Sequence, residues 1–180
     1  LNSVYILSGE EMKKLLILDS DNYANCSKNL EKTTTRGVIF KGDKLAMQQD
    51  AKGLFKMPGG GVEGNESLMD CLKREVAEET GLVINEDSVH EIGEITEVRQ
   101  DIFDEDTKYT CHTLYYWCQV SDETVPLNLT QSEKERGFHL SWATPEEIYN
   151  QNISLIPQNL TIPDKDMAFI KMLMDSPVDL

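Results

Sequence analysis

The chain has 180 residues, of which 39% are hydrophobic and 27% are charged, and this suits one globular domain with a single core. Its formal net charge is −15, so the surface repels nucleic-acid backbones and we predict no nucleic-acid partner. An acidic protein can still hold a phosphorylated ligand when divalent cations lie between the two.

Cysteine spacing and the lengths of apolar runs bear on location. None of the four cysteines has CxxC spacing, so neither a zinc site nor a dithiol motif is indicated. The apolar run Leu15–Leu18 is too short for a signal-peptide core or a membrane span. We therefore predict a cytoplasmic protein with no membrane partner. Met12 looks like a bacterial start, so residues 1–11 are interpreted as a non-native or disordered extension and residues 12–180 as a single domain.

The first predicted elements form a hairpin. The β-branched segment 33–40 predicts a strand, 41–44 is a turn signal, and 45–49 is the return strand. A short strand at 54–57 ends at the run Pro58–Gly61, which breaks regular structure. The chain therefore enters a glycine-rich loop from a β-rich region.

A helix is predicted after this loop. Ser67 is a plausible N-cap with Asp70 three residues later, and Gly81 suits a left-handed helix end. Apolar residues recur at i+4 spacing and predict the buried stripe, which consists of Leu68, Leu72 and Val76.

The remaining chain mixes strands with short helices. Segments 91–103 and 108–120 predict two long strands, and 138–143 predicts another. Pro145 opens a short helix, and a last helix is predicted from Pro163 through Met174. This pattern indicates an α+β fold or an α/β sandwich.

Three carboxylates share one face of the helix predicted after the loop. Glu75, Glu78 and Glu79 stand at i, i+3 and i+4, within roughly a 100° sector. They repel one another, and a divalent cation would neutralise them; carboxylate oxygens suit Mg²⁺ or Mn²⁺ better than zinc. A solvated acidic face is the alternative. The glycine-rich loop favours a ligand site, because glycine lets the backbone approach an ion or phosphate closely.

The residues from Gly60 to Leu82 resemble the Nudix box, Gly-x₅-Glu-x₇-Arg-Glu-U-x-Glu-Glu-x-Gly-U, where U is bulky and apolar. Every defined position matches, and chance would produce this with a probability on the order of 10⁻⁷. The resemblance implies an α/β fold, a Nudix-like α/β/α sandwich with a mixed β-sheet. It also implies a hydrolase that uses Mg²⁺ or Mn²⁺ to cleave a diphosphate bond.

The resemblance further implies roles for single residues of the box. Glu75, Glu78 and Glu79 match metal ligands, and the carbonyl of Gly60 is a further candidate ligand. Arg74 matches the residue that orients the glutamates by ion pairing, and the three glutamates and Arg74 are predicted catalytic residues. The implied reaction is attack of a metal-activated water on a phosphorus atom.

The general base varies across the family. Glu133 and Glu135 on a later loop are candidates, and Glu135 is included among the predicted catalytic residues. Gly59 and Gly60 are predicted to bring backbone close to the substrate. Phe55 is predicted to stack on a nucleobase, with core packing as the alternative.

The expected partner is a small nucleotide-type substrate, and a homodimer is possible. Family members that cleave ADP-ribose often carry a proline about sixteen residues beyond the box, where Glu97 and Val98 stand here. Members that cleave dinucleoside polyphosphates often carry a tyrosine near there, where Val98, Arg99 and Gln100 stand, and the segment before the box lacks the leucine/arginine-rich signature linked to coenzyme A. These absences favour a nucleoside triphosphate or a nucleotide sugar. The alternative function is a non-catalytic Nudix-like module that senses a nucleotide.

Overall fold

The computed structural model describes residues 12–155 and 164–175. The strands are β1 (Lys14–Asp19), β2 (Lys28–Val38), β3 (Phe40–Lys41), β4 (Lys44–Gln49), β5 (Phe55–Lys56), β6 (Leu82–Ile84), β7 (His90–Gln100), β8 (Thr107–Trp117), β9 (Val120–Thr124) and β10 (His139–Ala143). The helices are α1 (Leu68–Thr80), α2 (Gln131–Arg136), α3 (Pro145–Leu155) and α4 (Asp164–Asp175), with a 3₁₀ turn at Glu86–Ser88. None of the described helices is long and apolar enough to cross a membrane.

The strands form one mixed sheet and two antiparallel ones. The mixed sheet has the order β1-β7-β8-β2, in which β7 and β8 are antiparallel while β1 and β2 run parallel to their neighbours. A second sheet has the order β10-β4-β3, with β5 paired to β4, and β6 pairs with β9. The mixed sheet and its helices confirm the predicted α/β class.

Helices cover both faces of the sheets. Successive side chains of a strand point to opposite faces, and apolar side chains on both faces are buried against helices. On β8, Tyr116 packs in one buried cluster with Val76 of α1. The adjacent Tyr115 faces the opposite way, into a cluster with Ile148 of α3 and Phe169 of α4. The result is the α/β/α sandwich that the resemblance implied.

Helix α1 begins and ends where the sequence predicted. The backbone N–H of Asp70 donates to Ser67 Oγ at 3.0 Å, and Gly81 has a left-handed φ of 74°. Leu72 and Val76 of the predicted stripe are fully buried against the sheet. Capping and burial together fix both the limits and the rotation of the helix that carries the box glutamates.

Some predicted strand limits were wrong. The segment 33–40 is divided between β2, which begins earlier at Lys28, and the separate short strand β3. Strand β7 ends before Phe103, because Asp101 Oδ1 accepts hydrogen bonds from the backbone of Phe103 at 2.8 Å and of Asp104 at 3.0 Å and so closes a turn. The segment 1–11 and the predicted helix start at Pro163 lie outside the described residues.

Helix α2 is anchored to the turn after β4. The Asp50 carboxylate accepts hydrogen bonds at 2.9 Å from the backbone of Lys52, the backbone of Leu54 and the side chain of Arg136. The backbone N–H of Ala51 donates to the Arg136 carbonyl at 3.0 Å. These bonds place α2 beside the chain that leads into the glycine-rich loop.

A side chain of α3 completes the pairing of β5. Asn152 Oδ1 accepts from the Phe55 N–H and Asn152 Nδ2 donates to the Phe55 carbonyl, both at 2.9 Å. Strand β5 is therefore paired with β4 on one edge and with a buried amide on the other. This holds the residues just before Pro58 in a fixed position.

Candidate active site

Backbone hydrogen bonds join the glycine-rich loop to β2. The N–H of Thr35 donates to the Gly60 carbonyl and that of Gly37 donates to the Pro58 carbonyl, each at 2.9 Å. At Gly59 φ is 134°, and a Cβ there would overlap the Thr35 carbonyl. This approach of two backbones requires glycine at position 59.

The Glu75 carboxylate lies directly against the backbone of Gly60. A Cβ at Gly60 would overlap the carboxylate group of Glu75, so a side chain at this position would displace that carboxylate. The Gly60 carbonyl accepts a hydrogen bond from the Thr35 N–H at 2.9 Å and a weak one from the Cys71 thiol at 3.7 Å, so a metal ligated by this carbonyl would compete with the thiol.

Arg74 holds three glutamates of the box. Its Nε and Nη2 bind both oxygens of Glu66 at 3.0 and 2.7 Å, and Nη1 lies 2.7 Å from Glu75 and 3.3 Å from Glu78. The bond from Arg74 is the main reason that the pKa of Glu66 falls to about 2. Arg74 therefore contacts Glu66, Glu75 and Glu78, and its orienting role stays a prediction.

Glu79 is the most buried glutamate of the site, with its side chain 5% exposed. Its Oε2 accepts a 2.7 Å hydrogen bond from the Gly59 N–H, and its Oε1 lies 3.0 Å from Lys56 Nζ. Burial raises its pKa, and the Lys56 charge, the Gly59 bond and the Arg36 charge oppose that rise. Glu79 therefore has a higher proton affinity than an exposed glutamate.

Glu133, at the start of α2, lies beside the box glutamates. Its Oε2 accepts hydrogen bonds from the N–H and hydroxyl of Thr130 at 2.9 and 2.8 Å. The Glu133 N–H donates back to Thr130 Oγ1 at 3.3 Å, which completes a capping box. Its Oε1 lies 3.7 Å from Lys56 Nζ. Burial alone would raise the pKa of Glu133, but the Thr130 bonds and the Lys56 charge lower it.

Glu135 is not brought to this cluster. Its exposed side chain accepts a 2.8 Å hydrogen bond from Gln131, one turn earlier on α2. The capping box directs Glu133 toward Lys56, and residues two positions apart on a helix point in different directions. Of the two later-loop candidates, the geometry favours Glu133 over the predicted Glu135.

Phe55 does not face the box glutamates. Its side chain is 7% exposed and belongs to the core between the sheets and helices α3 and α4. It borders a cavity of about 560 Å³ beside β10 and α3. The next residue along β5, Lys56, points to the opposite side, toward Glu79. The core alternative therefore describes Phe55 better than the predicted stacking on a nucleobase.

Asn128 is a contact that the sequence did not reveal. Its Nδ2 donates to Glu78 Oε1 at 3.0 Å, and its backbone N–H donates to the Glu78 carbonyl at 2.9 Å. It lies on the connection between β9 and α2, far from the box in sequence. No periodicity or motif indicates this residue, so its contact with Glu78 could be found only from the tertiary structure.

The NUDIX domain profile matches residues 31–162, which include the loop, α1 and α2. The chain belongs to the Nudix family. The resemblance drawn from the box is thereby confirmed, and the match also extends well beyond the box on both sides. The sequence matched no curated protein.

Solved Nudix structures share this fold. A Nudix hydrolase from Nitrosomonas europaea is 22% identical, with 69% of this chain and 79% of that chain covered and a TM-score of 0.51. The MutT protein from Bacillus halodurans is 19% identical, with 81% and 83% covered and a TM-score of 0.51. A MutT structure from the study of Aliivibrio salmonicida and Vibrio cholerae is 14% identical, with 81% and 97% covered and a TM-score of 0.51.

The donor set of the Nudix box suits a hard divalent cation. Carboxylates and a backbone carbonyl are oxygen ligands of the kind that Mg²⁺ and Mn²⁺ prefer. The cluster contains more acid than base, because its two cationic side chains, Lys56 and Arg74, contact a larger set of carboxylates, Glu66, Glu75, Glu78, Glu79 and Glu133. This excess of negative charge fits a divalent ion.

The two cationic side chains also determine how the carboxylates stand. Within residues 12–155 and 164–175, no three acidic, histidine or cysteine side chains converge closely enough to hold a metal as they are placed. Arg74 draws Glu75 and Glu78 to itself, and Lys56 contacts Glu79. The ligand types and the charge fit the metal, whereas the carboxylates as placed contact the two cationic side chains instead.

Proposed function

We propose that this Nudix protein is a hydrolase that uses Mg²⁺ or Mn²⁺ to cleave a diphosphate bond in a nucleoside diphosphate linked to another moiety, such as a nucleoside triphosphate or a nucleotide sugar. The observation that carries the proposal is that the residues at the defined positions of the Nudix box contact one another and the glycine-rich loop in the folded protein. Glu75 and Glu79 contact the glycine-rich loop, and Arg74 binds Glu66, Glu75 and Glu78.

Glu75, Glu78 and Glu79 would hold the metal, with the Gly60 carbonyl as a further ligand. A bound divalent ion lowers the pKa of a water molecule and offsets negative charge on phosphate oxygens. The protein's own groups prepare this site. Arg74 orients two of the three glutamates, and the Gly59 N–H fixes the third.

Glu133 is our candidate for the group that takes the proton from the attacking water. Its position favours it, because Thr130 fixes one of its oxygens and so holds the carboxylate beside Lys56. Its lowered pKa leaves it ionised at neutral pH but makes it a weaker base than an ordinary glutamate. Its other oxygen points to the Lys56 ammonium beside Glu79. The phosphate of a substrate bound between the glycine-rich loop and α2 would therefore lie near both carboxylates.

The test is a panel of nucleoside triphosphates, nucleotide sugars and dinucleoside polyphosphates, assayed with Mg²⁺ and with Mn²⁺ and with product identification. We expect turnover of at least one class, loss of turnover in excess chelator, and loss in Glu79→Gln. Glu123→Gln, which neutralises an exposed acid on β9, serves as the control. Absence of hydrolysis across the panel, with substrates still binding, would instead support the nucleotide-sensing alternative.

A further inference from the structure

Lys56 lies between two carboxylates that come from different helices. Its Nζ is 3.0 Å from Oε1 of Glu79 on α1 and 3.7 Å from Oε1 of Glu133 on α2. Both carboxylates are largely buried, with side chains 5% and 17% exposed. Two acids this close in a partly desolvated site repel each other strongly unless a cation stands between them.

Lys56 is the movable member of this trio. Each carboxylate has its other oxygen bound by a backbone N–H, from Gly59 to Glu79 and from Thr130 to Glu133. The ammonium of Lys56 is instead carried by four rotatable methylene groups on the edge of the site. When a divalent metal ion binds Glu79, the Lys56 ammonium can therefore move away while both carboxylates stay in place.

We propose that Lys56 is a tethered cation that takes the place of a divalent metal at Glu79 and must withdraw when the metal binds. It is a positioning residue, since it keeps Glu79 and Glu133 assembled before metal loading. The inference rests on the proposed function, because it takes Glu79 as a metal ligand. The Lys56 ammonium and a divalent ion repel each other, so the two cannot both contact the same carboxylate oxygen of Glu79.

Arg74 cannot take this role. It binds Glu66 through two nitrogens and Glu75 and Glu78 through a third, so it forms a planar, multiply bonded network. Arg36, the other cation whose charge acts on Glu79, is buried against Asp166 at 3.3 Å. Both arginines are fixed, whereas the side chain of Lys56 is 26% exposed and has room to turn toward solvent.

The test measures metal binding without any substrate. Mn²⁺ is titrated into the whole protein and free Mn²⁺ is followed by electron paramagnetic resonance, for wild type, Lys56→Met and Lys56→Arg. The matched control is Lys52→Met, which removes the same charge from an exposed position on the turn after β4. We expect Lys56→Met to bind Mn²⁺ about tenfold more tightly than both wild type and Lys52→Met, and Lys56→Arg to remain within about threefold of wild type.

A second readout separates this role from simple packing. Without metal, Lys56→Met should melt at a lower temperature than wild type, because Glu79 and Glu133 then repel; saturating Mn²⁺ should raise its melting temperature more than that of wild type. Lys56→Gln replaces Lys56→Met if the latter does not fold. A loss of stability with unchanged Mn²⁺ affinity, or weaker Mn²⁺ binding than in Lys52→Met, overturns the inference. No Mn²⁺ binding to wild type would overturn the proposed function itself.

Discussion

The backbone N–H of Gly59 donates a 2.7 Å hydrogen bond to Oε2 of Glu79. Glu79 is near the end of α1, whereas Gly59 precedes that helix by a whole loop. The carboxylate therefore fastens the end of the helix to the beginning of the loop. Because Gly59 also lies against the carbonyl of Thr35, the position of this glutamate depends on how closely the loop approaches β2.

Gly59→Ala should disrupt the close approach of the glycine-rich loop to β2. The new Cβ would overlap the Thr35 carbonyl at a φ that side chains rarely adopt, so we expect the free energy of unfolding to fall by about 3 kcal/mol. Gly61→Ala is the matched control, because a Cβ there meets nothing within 4 Å. Its stability should stay within about 0.5 kcal/mol of wild type in urea denaturation. Equal effects of the two substitutions would contradict the close approach at Gly59.

Neutralising the box glutamates should separate activity from stability. Glu78→Gln and Glu79→Gln should each lower kcat by about 100-fold or more, because glutamine keeps the shape but loses the charge that a metal needs. Burial raises the pKa of Glu79, so its charge costs stability at neutral pH, and the free energy of unfolding of apo Glu79→Gln should equal or exceed that of wild type. Glu78→Gln, at a more exposed position, should be near wild type. Near wild-type kcat in both variants would contradict the proposed metal site.

The two glutamates of α2 give a direct comparison. Glu133→Gln should lower kcat by about 100-fold, because it removes the ionised acceptor beside Lys56 and Glu79. Glu135→Gln should stay within about twofold of wild type, since its side chain is exposed and bound to Gln131. Steady-state kinetics at saturating metal checks both. A large loss in Glu135→Gln alone would restore the residue that the sequence had favoured.

Acid should weaken the Arg74–Glu66 pair. The pKa of Glu66 is about 2 in the folded protein against an ordinary value of 4.5, so its ionised form is stabilised by folding. This contribution is complete above about pH 4.5 and is lost as the pH falls toward 2. We expect Glu66→Gln to lower stability at pH 7 by about 1 kcal/mol, after allowance for solvent screening.

The same variant should match wild type near pH 2, where Glu66 itself becomes protonated. Denaturation of metal-free protein across this range measures the effect. Glu63→Gln, which neutralises an exposed acid in the same loop, is the control and should show no such convergence. A constant difference between Glu66→Gln and wild type at every pH would show that the carboxylate charge is not what stabilises the fold.

The local features of the site were readable in the sequence because local chemistry specifies them. The caps of α1 at Ser67 and Gly81 and the box itself depend on neighbouring residues, and the structure has α1 within those limits. Strand β1 was not predicted, because its parallel pairing with β7 joins segments far apart in the chain. Helix α2 was also missed, since six residues without a buried side chain give no apolar period.

The contacts of Lys56 and Glu133 could not be predicted, because they also join segments that are far apart in the chain. Lys56 stands in a short strand whose pattern says which face it points to but not which acid it meets. The choice between Glu133 and Glu135 depends on the capping box at Thr130, which fixes the direction of one side chain. Sequence spacing identified the glutamates that share one face of α1, whereas the cation and the acid across from them are set by how β5 and α2 pack.

The side-chain amide of Asn152 ties β5, and so the entry to the glycine-rich loop, to helix α3. An edge strand with free N–H and C=O groups can recruit a strand from another molecule, and here the amide occupies those groups. Because the Phe55 N–H is bound by this amide, we expect amide hydrogen exchange at Phe55 to become faster when α3 is destabilised. We therefore expect the stability of α3, which lies outside the glutamate cluster, to influence how often the glycine-rich loop opens.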